Sequence, residues 1–195
     1  MRRGHDLVVI GTSWGGLDAV RAILQPMPAS FRAAMVVVQH RSPESHPDAF
    51  RELLASATVL AVCDGRDKQR LEPGHVYLAP PDYHAFVEDD HLSLSTDDAV
   101  AFSRPSIDVL FESAAESRRE RCVGVVLTGA NADGAAGLAR IVELGGTAVV
   151  QDPNDALRAE MPRAAAEAAP EAIVAPLAEI PTLLEELCAP AEVTA

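Results

Sequence analysis

Aromatic side chains are scarce in this 195-residue chain: one Trp, two Tyr and five Phe. A core must therefore be built from Val, Leu, Ile and Ala within an apolar content of 48%, a composition that suits a buried parallel sheet. Positive charge is also in short supply. Sixteen Lys and Arg stand against 29 Asp and Glu, a formal net charge of −13. Such a chain does not neutralise a phosphate backbone, which excludes nucleic-acid binding, and it is not drawn to anionic membrane surfaces. Cysteine is limited to positions 63, 122 and 188. An odd, widely spaced set gives neither a disulfide framework nor a zinc spacing, and Cys63 and Cys122 sit in apolar runs where buried thiols are expected. The histidines at 5, 46, 75, 84 and 91 have no metal-like pattern with nearby Cys, Asp or Glu, so no metal and no cofactor is expected. Long apolar runs are missing too. None is long enough to span a membrane, and the run in "MRRGHDLVVIG" is too short for a secretory signal, so a cytoplasmic location is expected.

What is present is an alternation of short apolar runs with helical patterns. "DLVVIG" (6–11), "AAMVVVQH" (33–40), "TVLAVC" (58–63), "CVGVVLTG" (122–129), "TAVVQD" (147–152) and "AIVAP" (172–176) read as strands. Helical patterns fall at 17–27, 46–56, 106–120, 133–146, 156–169 (interrupted at Pro162) and 179–188. The stretch "HVYLAPPDYHAFVEDDHLSLS" (75–95) differs, with period-two alternation and the polar turn "EDD", and predicts a peripheral antiparallel hairpin. The charged "ESRRER" (116–121) reads as a solvated helix end. The expected fold is α/β: a three-layer, doubly wound, mostly parallel sheet of about seven strands with an antiparallel hairpin excursion. One domain over 1–189 and a frayed tail over 190–195 are expected.

Ligands of doubly wound sheets bind beyond the carboxyl ends of strands. Gly11-Thr12-Ser13-Trp14-Gly15-Gly16 follows the first strand, Gln39-His40-Arg41 the second, and Thr128-Gly129-Ala130-Asn131-Ala132-Asp133-Gly134 the strand at 122. A serine, a histidine and an aspartate thus end three separate strands. Those are the groups an activated serine requires: a base to take its proton, and a carboxylate to fix the imidazole tautomer. Each also has an ordinary reading. Ser13 and Asp133 can cap the helices that follow them, and His40 can be a plain loop histidine. A phosphate-binding turn is the main rival, because glycines at a strand–helix junction expose backbone N–H groups to an anion. Neither G-x-G-x-x-G nor G-x-x-x-x-G-K-[ST] is present, however: position 13 is Ser, and Leu17 follows Gly16 where lysine is required. Gly11 to Gly15 does satisfy G-x-S-x-G, a pattern too short to be specific alone.

Taken together, "IGTSWGGLDAV", "VVVQH", "RPSIDVLFESAA", "VVLTGANADGAAGL" and "VVQDPNDALRAEMPRAA" resemble the catalytic domain of the chemotaxis protein-glutamate methylesterases (CheB) over roughly residues 6–175. The resemblance implies a serine hydrolase that demethylates glutamate γ-methyl esters on cytoplasmic chemoreceptor helices, with glutamine deamidation as a companion activity. By position it implies Ser13 as nucleophile, His40 as base, Asp133 as the orienting carboxylate, and the N–H groups of Trp14 and Ala130 as oxyanion donors. The implied partner is a methyl-accepting chemoreceptor or a similar methylated protein. Familiar members carry an N-terminal receiver domain, and a first strand starting near residue 6 leaves no room for one. The expectation is either an enzyme that stands alone or one whose regulatory part lies on a separate chain or outside this sequence. Trp14 stands where Thr or Ala is usual and Ala130 where Met is usual, which implies an altered pocket. Arg104 in "SRPSID" is a candidate for holding the substrate. Arg41, Arg104 and Arg163 are expected to gather at the site rim, since an acidic enzyme otherwise repels glutamate-rich helices. Small-ester hydrolysis of other specificity, and a catalytically weak signalling or anion-binding relative, are the alternatives.

Overall fold

The valine-rich runs, with no polar residue to interrupt them, become strands covered on both faces. The structure, a computed structural model, describes residues 4–40 and 47–190. Its strands are β1 (Leu7–Thr12), β2 (Ala34–Gln39), β3 (Ala61–Asp64), β4 (Gln69–Arg70), β5 (His75–Leu78), β6 (His84–Glu88), β7 (His91–Ser95), β8 (Cys122–Val126), β9 (Thr147–Gln151) and β10 (Ile173–Ala175). Its helices are α1 (Gly16–Leu24), α2 (Pro47–Ala55), α3 (Ile107–Arg118), α4 (Ala135–Glu143), α5 (Glu160–Ala168) and α6 (Ile180–Cys188). Seven strands pair in the order β10-β9-β8-β1-β2-β5-β3, all parallel. A separate antiparallel sheet has the order β4-β7-β6. The chain runs outward from β1 on one side and returns to β8 on the other, which makes the end of β1 a topological switch point.

The period of two along each strand divides the core. Val8, Ile10, Met35, Val37, Val123 and Val125 face α1, α2 and α6 through Val20, Ile23, Leu54 and Leu184. Leu7, Val9, Val36, Val38, Val126 and Val150 face α3, α4 and α5 through Leu110, Phe111, Leu138, Ile141 and Met161. Each such side chain contributes about 1.5–3 kcal/mol by burial. No helix among the described residues is long and apolar enough to cross a membrane.

Four local expectations change. The stretch 75–95 is not one hairpin: His75–Leu78 enters the parallel sheet between β2 and β3, and only 84–95 is antiparallel. Val76, Tyr77 and Leu78 are all buried, so this strand has no solvent face. Pro162 does not interrupt a helix, because α5 starts at Glu160 and the proline falls in its first turn, where its missing N–H has no intrahelical acceptor. The end of α3 is not freely solvated, since Arg118 Nε lies 3.8 Å from Asp6 Oδ1 and Arg121 is paired with Asp6 Oδ2. Cys63 is half-buried on the edge strand β3, whereas Cys122 and Cys188 are buried and all three thiols are free. Burial pushes the Cys188 thiol up to about 12, which leaves it protonated and unreactive at neutral pH. The expected tail lies outside the described residues except for Pro190.

Candidate active site

The last paired residues of β1 and β2 are Thr12 and Gln39, so Ser13 and His40 leave neighbouring parallel strands at the same level. The Ser13 turn is tied down from several sides. Its N–H donates to Thr128 O (3.0 Å), and its carbonyl accepts from Gly16 N (3.0 Å) and Gln39 Nε2 (2.6 Å). Gln39 Nε2 also donates to His40 O (3.0 Å), so one carboxamide clamps the backbone of both residues. Ser13 does not cap α1. The cap is Gly15 at φ 81, a left-handed conformation that glycine adopts without a Cβ penalty, and no side chain takes part. Ser13 Oγ accordingly has no hydrogen-bond partner among the described residues.

Gly16 begins α1, where alanine is ordinarily the better residue. Here a Cβ would stand 1.9 Å from Gln39 Oε1 and 2.6 Å from Thr12 Oγ1. Gly16→Ala is therefore expected to destabilise the protein by about 1–3 kcal/mol through overpacking. Displacement of the Gln39 clamp should also lower ester turnover about tenfold or more, since small misplacements of reacting groups are costly. Thermal melts and steady-state rates check both effects.

His40 Nε2 lies 2.8 Å from Asp133 Oδ2, with the two side chains 14% and 1% exposed. An ionised carboxylate only accepts, so Nε2 carries the proton and Nδ1 keeps the lone pair. Asp133 is cradled by the first turn of α3. Ser106 Oγ (2.9 Å) and Asp108 N (3.0 Å) donate to Oδ1, and Ile107 N (2.7 Å) donates to Oδ2. Burial pushes this carboxyl up, but the bonds from His40, Asp108, Ile107 and Ser106 outweigh it and hold Asp133 below its ordinary value. Asp133 thus caps α3 and not the helix that follows it, whose cap is Gly134. Asp108 reciprocates from α3, accepting from Gly137 N (2.7 Å) and Gly134 N at the start of α4.

Burial and the neighbouring Asp133 charge push the Asp108 carboxyl up, against those two N–H donors. A raised carboxyl stabilises the fold fully below its unfolded value, and that contribution is lost as pH rises through the folded value. At neutral pH the Asp108 charge is therefore a cost. Asp108→Asn removes the charge and keeps an oxygen for Gly137, but not a second one for Gly134. Its Tm relative to wild type should therefore be most favourable at neutral pH and become less so as pH falls. Melts across pH check this.

Asn131, not singled out from the sequence, accepts from Asp133 N through Oδ1 (3.3 Å) and turns Nδ2 towards His40 Nδ1 at a long 3.5 Å. Gln39 and Thr128 were missed in the same way, although both stand within the motifs quoted above. Thr128 Oγ1 donates to Trp14 O (2.9 Å) and accepts from Arg158 N (2.9 Å), which fixes the peptide after Trp14. The N–H groups of Trp14 and Ala130 donate to no described residue. The Trp14 ring is turned outward, 61% exposed, with the Arg158 guanidinium 5.4 Å from its centroid. The indole is therefore turned to solvent beside Arg158.

A cleft of about 360 Å³ adjoins His40 and is lined also by Asp82, Ala99, Phe102, Ser103, Arg104 and Pro105. Arg104 reaches it, but Nη1 is committed to Thr96 O (3.0 Å) and Asp97 O (3.1 Å) and Nη2 to Asp82 Oδ1 (3.3 Å). Arg104 braces the 96–105 loop. Arg163 does not line this cleft, and Arg41 lies outside the described residues. Of the two described arginines expected at the rim, Arg104 lines the cleft and Arg163 does not. Among the described residues, Arg158 also brings a cation beside the Ser13 turn, over the Trp14 ring.

The model of the CheB methylesterase family matches residues 8–184. A Leptospira interrogans protein, provisionally named a protein-glutamate methylesterase/protein-glutamine glutaminase, is 46% identical over 165 residues, covering 84% of this chain and 85% of its own. The protein-glutamate methylesterase/protein-glutamine glutaminase of Chromohalobacter salexigens is 37% identical over 184 residues, and this chain spans 51% of its length. The catalytic domain of the Thermotoga maritima CheB methylesterase superposes with a TM-score of 0.87 at 31% identity, over 94% of this chain and 98% of that one. The resemblance of the motifs, the three-layer fold and these relatives agree: the chain belongs to the CheB methylesterase family.

Proposed function

We propose that this chain hydrolyses glutamate γ-methyl esters on chemoreceptor cytoplasmic helices, and deamidates glutamine there, by a Ser13–His40–Asp133 mechanism. The observation that carries the reading is the pair of His40 Nε2 and Asp133 Oδ2 at 2.8 Å, with the remaining Asp133 donors supplied by the start of α3 and by Ser106 just before it. With Nε2 given to Asp133 the imidazole keeps Nδ1 as its basic nitrogen, and support comes from Ser13 and His40 following neighbouring parallel strands at the same level. Ser13 Oγ attacks the ester carbonyl while Nδ1 takes its proton. The oxyanion is received by the unspent N–H groups of Trp14 and Ala130. Collapse breaks the carbon–oxygen bond, His40 returns the proton to the departing methanol, and water then cleaves the glutamyl-serine ester by the same base. For glutamine the leaving group is ammonia.

A serine-directed phosphonate tests the assignment. One equivalent should attach to Ser13 with loss of ester turnover, and Ser13→Ala should take up none. Labelling of another residue, or of none, contradicts it and favours the anion-binding alternative.

A further inference from the structure

His84 is a buried histidine for which the mechanism above has no use. It opens β6 and is 1% exposed. Its Nε2 lies 3.1 Å from Asp98 O, and its Nδ1 receives Ser106 N–H at 3.2 Å. A carbonyl only accepts and a backbone N–H only donates, so the two partners fix a neutral ring with the proton on Nε2. The second contact matters most. Ser106 is the residue before α3, has extended backbone (φ −97, ψ 140), and is fully buried. Its hydroxyl does not cap its own helix but donates to Asp133 Oδ1. The next two N–H groups, of Ile107 and Asp108, complete the same cradle. Ser106 N–H, buried with its residue, has no other described acceptor.

We propose that His84 is a positioning residue: by accepting Ser106 N–H it sets the Ser106–Asp108 cradle that aims Asp133 at His40. The inference rests on the reading of His40 and Asp133 as base and orienting carboxylate. It links the antiparallel hairpin to the active centre, and gives that excursion a role beyond covering α3. The two ring nitrogens can be replaced separately. His84→Asn puts a carboxamide oxygen in the place of Nδ1 and keeps the acceptor for Ser106. His84→Gln puts an amide nitrogen in the place of Nε2, keeps the donor to Asp98, and leaves Ser106 N–H unpaired.

The test compares kcat and KM for methyl-ester hydrolysis, Tm, and the proton resonance of His40 Nε2–H in wild type, both variants and Ser13→Ala. His84→Gln should lose about 10- to 100-fold in kcat with KM nearly unchanged, and shift the His40 resonance. His84→Asn should retain kcat within about threefold, inside the loss expected for a misplaced group, even where its Tm falls as far as that of His84→Gln. A His84→Gln protein that stays folded with wild-type kcat and an unmoved resonance overturns the inference. So does a loss in both variants that simply follows Tm. Either result leaves the Ser13 mechanism standing, whereas undiminished turnover in Ser13→Ala removes that mechanism itself.

Discussion

Asp133→Asn is expected to lower kcat for ester hydrolysis about 10⁴-fold, the scale on which a wrong imidazole tautomer disables a serine–histidine site. Four donors converge on the two oxygens of Asp133: His40 Nε2 and Ile107 N on one, Ser106 Oγ and Asp108 N on the other. A carboxamide offers one oxygen in place of two. If its NH₂ group faces His40 and Ile107, the imidazole must present Nε2 as an acceptor and carry its proton on Nδ1, where it can take nothing from Ser13. If the NH₂ group faces Ser106 and Asp108, the Asp108 N–H loses its acceptor and α3 loses part of its cap. Either way a buried group goes unpaired, at about 1–3 kcal/mol. KM should change little, because Asp133 is buried behind His40 and meets no substrate. The charge itself also sets a pH limit. A carboxyl held below its ordinary value stabilises the fold above the unfolded value, and that stability is lost as pH falls through the folded value. Acid melts of the wild type should show this loss, and Asp133→Asn should not.

Ser13→Ala and His40→Ala are each expected to lower kcat by about 10⁴- to 10⁶-fold, and the double variant should be no worse than the poorer single one. In the proposed mechanism the two act as one unit. The serine hydroxyl is a poor nucleophile without the base, and the base has no proton to move without the serine. Stability should be nearly unchanged by Ser13→Ala, since Ser13 Oγ has no hydrogen-bond partner among the described residues. A measured loss of activity in that variant thus reports chemistry and not unfolding.

The central strands were legible because nothing polar interrupts "LVVIG", "MVVV" or "CVGVV", and each is buried on both faces. The site was legible to the extent that three reactive side chains follow three such runs. What local reading could not supply was pairing across long distances in the chain. His75–Leu78 looked like the arm of a hairpin because it runs directly into one, and only its partners in β2 and β3 make it a parallel strand. Asp133 looked like a helix cap and is one, but for α3, whose first turn lies 25 residues or more earlier in sequence. Ser106 is not singled out by the sequence and His84 is weighed there only as a metal ligand, for the same reason: their contacts run through partners distant in the chain. Trp14 stood out in the sequence by its size, but its outward turn towards Arg158 rests on a partner far away in the chain. Arg104 was a candidate substrate contact from its motif, and the Thr96 and Asp97 carbonyls that hold its guanidinium are partners no spacing rule would have given it.

Methanol release from methylated chemoreceptor fragments, measured side by side for this chain and for Ser13→Ala at matched fold stability, tests the central claim most directly. The account predicts steady methanol production by the former and a rate at least about 10⁴-fold lower in the latter. Methanol released at comparable rates by both proteins would contradict it.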